Sequence, residues 1–89
     1  SNCDCFQVYA ILANGLRAIE VAHDLGLAHG RISARHILIC ADGSAKLGGF
    51  RKASKVESKD RDFCYDVRCL VKALTELGRC AVIASLVLI

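Results

Sequence analysis

The sequence contains no proline, no methionine and no tryptophan, and only two Tyr and three Phe. Without proline, no segment carries a built-in break, which favours helix over a loop-rich chain. The few aromatics do not interleave the basic residues of 51–61, which alternate instead with Glu57, Asp60 and Asp62. That run reads as a solvated loop. With a net charge of only +3, a nucleic-acid surface is not expected. No apolar run approaches the roughly 20 residues of a membrane span. The longest, CAVIASLVLI at residues 80–89, is half of that, and a buried helix or a strand is open to it.

Cysteine is plentiful, but the spacing that would give it a role is missing. Cys3, Cys5, Cys40, Cys64, Cys69 and Cys80 include no C-x-x-C pair, and zinc wants closely paired ligands. No secretory signal precedes them, so reduced, mostly buried thiols and a cytoplasmic location are expected. Cys40 and Cys69 have apolar neighbours, where a thiol behaves as a small hydrophobe. No metal and no cofactor is expected.

What remains is a chain that can fold. A hydrophobic fraction of 54% argues against disorder, and 89 residues allow one small domain with a thin core. Residues 5–25 read as a helix. Val8, Leu12, Leu16, Ile19 and His23 recur at three- and four-residue steps and form one apolar stripe, away from Arg17, Glu20 and Asp24. Asn14-Gly15 is a turn signal inside it, and the glycine costs about 1 kcal/mol against alanine. Gly26 is a natural stop. His23, on the apolar face, reads as a core histidine.

Residues 36–40, HILIC, form a short β-branched run. Asp42-Gly43 then predicts a two-residue hairpin turn, and Ala45-Lys46-Leu47 a return strand ended by Gly48 and Gly49. Residues 51–62 read as an exposed loop. Residues 63–77 read as a second helix, with Val67, Leu70, Leu74 and Leu77 on its stripe, Val71 and Ala73 widening it, and Lys72 and Glu76 paired at i,i+4. Gly78 closes it. The expected class is α+β, mainly helical, in one domain.

The stretch from His29 to Ala53 resembles the catalytic core of a protein kinase. His29-Gly30-Arg31 stands at the His-Arg-Asp triplet. Four residues later His36 stands where the loop asparagine would be, and Lys46-Leu47-Gly48-Gly49-Phe50-Arg51 stands at the Lys-Leu-x-Asp-Phe-Gly stretch. Ala34-Arg35 is similar to the tyrosine-kinase form of the loop, and the Ser/Thr forms stay open. His23-x-x-Gly26-Leu27-Ala28-His29 looks like the end of the helix before that loop. Asp66-Val67 through Thr75-Glu76-Leu77 looks like the lower-lobe helix whose aspartate braces the loop.

The resemblance covers about residues 10–78. It implies a partial lower lobe, since a whole kinase fold far exceeds one domain of about 100–150 residues. The upper lobe and the Ala-Pro-Glu stretch are not in this sequence, and only a dozen residues separate Ala53 from Asp66.

The resemblance also implies what the substitutions do. Arg31 replaces the aspartate that accepts the hydroxyl proton, and a guanidinium offers no acceptor. His36 replaces an oxygen ligand of magnesium by a nitrogen. Gly49 replaces a metal carboxylate by nothing. With those three positions gone, positioning and charge neutralisation of a phosphoryl group both fail, and an inactive, pseudokinase-like protein is expected.

The degenerate positions are thus His29, Gly30, Arg31, His36, Gly49, Phe50 and Arg51, with His29 packed under Phe50 and Asp66 as brace. Arg31, Lys46 and Arg51 are candidate metal-free anion contacts. The function expected is a regulatory or scaffolding surface for a protein partner, with self-association through exposed apolar helix faces as another outcome. Two other readings are weighed beside it: part of an ATP-dependent kinase, against which Arg31 speaks, and a small helical interaction domain unrelated to kinases, which a helical 29–53 would favour.

Overall fold

The computed structural model describes residues 5–77, with side chains from Gln7 onward. The expectations for the 80–89 run, the stop at Gly78, Cys3, Cys80 and the Cys5 thiol therefore lie outside what is described. Within it, the fold is α+β and mainly helical. Helix α1 (Cys5–Asp24) leads through β1 (Leu27–Ala28) to a single 3-10 turn (Ala34–His36). Next come β2 (Ile37–Ile39), β3 (Ala45–Leu47), a second 3-10 turn (Phe50–Lys52), β4 (Ser54–Lys55) and helix α2 (Lys59–Leu77). Residues 29–53 are therefore loop, hairpin and two single 3-10 turns, with no α-helix.

The two helices cross antiparallel, with Gly15 against Leu70 and His23 against Asp66. Ile11, Ile19, Leu70, Ala73 and Leu74 fill the space between them, joined by Ile32 from the loop and Ala45 from β3. Each large aliphatic side chain so buried stabilises the fold by about 1.5–3 kcal/mol. The buried line of α1 runs through Val8, Ile11, Ile19, Ala22 and His23, so Leu12 and Leu16 flank the stripe that was centred on them and are only half-buried. On α2 the buried line is Asp66, Leu70, Ala73 and Leu74. The expected Lys72–Glu76 pair is not drawn: both residues are exposed, and no ion pair joins them among the described residues.

Asn14-Gly15 is no turn. The Asn14 side-chain oxygen accepts the Ala45 N–H at 2.8 Å, tying α1 to β3. Gly15 makes room for Leu70: a Cβ there would lie 2.8 Å from both methyls of Leu70, which is fully buried. The helix accepts the propensity cost of glycine because any side chain there would displace Leu70 from the core.

The hairpin pairs Ile37 with Leu47 and Ile39 with Ala45. Its turn is longer than expected. Cys40 N–H bonds to the Ser44 carbonyl at 2.8 Å and Gly43 N–H to the Cys40 carbonyl at 3.0 Å, leaving a three-residue loop with Gly43 at φ +89°. Asp42 selects that loop by accepting both the N–H and the hydroxyl of Ser44, at 2.9 and 2.6 Å. Leu38 and Ile39 remain exposed.

The expected loop at 51–62 is largely structured. Ser54 and Lys55 pair with Ala28 and Leu27, and the Val56 N–H donates to the Gly26 carbonyl at 2.9 Å. Helix α2 starts at Lys59 rather than 63, because Asp62 reaches back to accept the N–H groups of Glu57 and Ser58, at 2.9 and 3.2 Å. Of the described thiols, Cys40 and Cys69 are half-buried and Cys64 is exposed; all three are free.

Two outcomes follow. Gly15→Ala lowers stability in urea denaturation by about 1–3 kcal/mol through overpacking, although alanine is the better helix former. For α2, the backbone donors of Glu57 and then Ser58 hold the Asp62 carboxyl below its ordinary pKa. A folded-state pKa lowered in this way gives stability that is present above the unfolded value and is lost as pH falls through the folded one. Asp62→Ala therefore melts below wild type at neutral pH, and the gap closes in acid. A gap unchanged at low pH would show that the carboxylate is not the cap.

Candidate functional site

The site is built around Asp66, which the periodicity of α2 places on the core face, one turn before Leu70. Its carboxylate is 1% exposed and accepts three hydrogen bonds. The His29 N–H donates to Oδ2 at 2.9 Å and the Gly30 N–H to Oδ1 at 2.9 Å. His23 Nε2 is 2.8 Å from Oδ2. A buried carboxylate is tolerated only when its lone pairs are so occupied. The two backbone donors come from the chain just after β1, so the loop is fastened to α2 by main-chain groups, whose donors no side-chain substitution removes.

His23 reaches Asp66 from the last turn of α1 and meets the Phe63 ring edge-on at 5.4 Å. Its Nδ1 is buried without a hydrogen-bond partner. An unpaired lone pair costs less than an unpaired N–H, so the arrangement suits an imidazole that carries its proton on Nε2, toward the carboxylate.

His29 is 2% exposed and is fixed on both ring nitrogens. Its Nδ1 accepts the Arg31 N–H at 3.1 Å, so Nε2 holds the proton and donates it to the Gly48 carbonyl at 2.8 Å. The ring stands edge-to-face on Phe50, centroids 4.7 Å apart. The loop after β1 is thereby pinned to the segment after β3. The 3-10 turn adds His36, whose Nδ1 lies 3.3 Å from both the N–H and the hydroxyl of Ser33. The His36 ring is 5.1 Å from that of His29.

His29, Gly30, His36, Gly49, Phe50 and Asp66 thus gather around one loop. Arg31, Lys46, Gly49 and Arg51 are exposed. The candidate anion contacts are not gathered in the same way. Lys46 lines a groove with Arg17 that neither Arg31 nor Arg51 lines. This groove, about 660 Å³ between α1 and β3, is walled by Ala18, Val21, Leu25, Leu27, Leu47 and Phe50. It was not located from the sequence, although Val21 and Leu25, one turn apart on the face opposite the core, are its signal.

Chemically the loop offers backbone order, and the carboxylate it rests on, Asp66, is occupied by three donors. Among the described residues no three His, Cys, Asp or Glu side chains are placed to hold a metal ion, and no helix is long and apolar enough to cross a membrane.

Replacing Asp66 by Asn preserves size but turns one acceptor into a donor facing a donor. The variant should lose about 2–4 kcal/mol in urea denaturation, the range for charge-assisted hydrogen bonds with one buried donor left unmet. A loss under about 1 kcal/mol would show that the loop is held by other contacts.

No family model, no curated protein and no solved structure matches this chain.

Proposed function

We propose that the chain is lower-lobe core of a protein kinase-like domain that does not transfer phosphate, and that it acts as a regulatory or scaffolding surface for a protein partner. One observation carries the reading. A loop fastened by its backbone to a buried aspartate, with a histidine packed on Phe50, presents Arg31, His36 and Gly49 where the resemblance expects a base and two metal ligands. The surrounding order is that of a positioning loop, while the groups that would act on a nucleotide are absent from it.

The partner half of the reading is supported by exposed apolar surface. Val21, Leu25 and Leu27 are 44%, 74% and 41% exposed and meet along the α1–β3 groove. An uncovered apolar patch rimmed by Arg17 and Lys46 is the kind of surface that proteins use for contact. Free thiols at Cys40, Cys64 and Cys69 suit a reducing, cytoplasmic setting.

Thermal melts of the chain with ATP, with and without magnesium, test the proposal. The expected result is a cooperative transition whose midpoint moves in neither condition. A rise that needs magnesium would restore the enzyme reading, because only a metal-dependent phosphate site gives it. A rise with ATP alone would instead assign metal-free anion binding to one or more of the exposed cations Arg31, Lys46 and Arg51, which single substitutions would tell apart.

A further inference from the structure

We propose that His36 is a clasp. Its imidazole occupies the space that any side chain at residue 49 would need, and so closes the loop onto the β3 exit without a ligand.

The placement begins with register. Ile37 pairs with Leu47, and the pairing runs one step further, the Gly48 N–H donating to the His36 carbonyl at 2.7 Å. This fixes His36 opposite Gly48 and swings its ring over Gly49. A Cβ on Gly49 would lie 2.3 Å from the ring Cδ2, 2.7 Å from Nε2 and 2.8 Å from Cγ. Rotating the ring about χ2 leaves Cγ in place, so it cannot clear the overlap. Only a new χ1 rotamer can, and that gives up both Ser33 contacts at Nδ1 and the neighbouring His29 ring. Gly49 also stands at φ +80°, so backbone and ring impose glycine independently.

The clasp completes a chain of contacts from Asp66 through His29 and His36 to Gly49. It also interlocks two positions at which the resemblance expects metal ligands, a consequence that rests on the proposed function. A carboxylate at 49 has no room while His36 keeps this rotamer.

Melts of the full chain test this, with a control that the fold supplies. Gly43 has φ +89° but nothing within 4 Å of its Cβ position, so Gly43→Ala measures backbone strain alone. Gly49→Ala should lower Tm by roughly 10 °C more than Gly43→Ala, a shift typical of a serious clash in a domain of this size. In the His36→Ala background the same change at 49 should cost no more than Gly43→Ala. Equal losses at 43 and 49, or an additive cycle, would overturn the clasp.

If Gly49→Ala does not fold, the proton NMR spectrum of the wild-type chain decides: nuclear Overhauser contacts between the His36 ring Hδ2 and the Gly49 Hα protons support the clasp, and their absence sinks it. A magnesium-dependent response to ATP would remove the inactive-kinase reading and leave a coupled cycle standing, so the two failures are distinguishable.

Discussion

The Asp66 carboxylate is the constraint on which the rest of the molecule depends. Taking a charge out of water costs several kcal/mol after relaxation, and this one, carried by α2, is recovered only by donors from two other places at once: His23 at the end of α1, and the N–H groups of His29 and Gly30 just after β1. The antiparallel helix crossing and the path of the loop are therefore one solution. Moving α1 withdraws His23, and moving the loop withdraws two N–H groups.

From that anchor, order spreads through imidazoles. His29 carries it to the Gly48 carbonyl and Phe50, and His36 carries it to the Gly49 backbone. Both rings lie among neutral donors and acceptors rather than beside acids. The loop is consequently held by packing and main-chain hydrogen bonds.

Among the described residues the core is thin, its central cluster made of seven buried side chains, and several large apolar groups stay in solvent, Leu25 and Leu38 among them. Small domains bury a modest share of their surface, which raises the relative weight of the polar anchor. Gly15 matters for the same reason: a side chain there would displace Leu70, which is fully buried at the helix crossing.

By itself the sequence determined what local physics controls. Three- and four-residue periodicity located both helices, the β-branched run and the Asp-Gly turn located the hairpin, and the resemblance to a kinase catalytic core, not local physics, pointed to His29, Phe50 and Asp66, which the fold gathers. Tertiary structure decided what local propensity leaves open or opposes. Asn14-Gly15 has the composition of a turn but serves strand and helix contacts. Residues 54–55 look like solvated loop until β1 offers them a pairing edge. His36 and Gly49 read as two separate losses until hairpin register lays one over the other. Each of these depends on partners distant along the chain, and a contact of that kind leaves no periodic trace in the residues that make it.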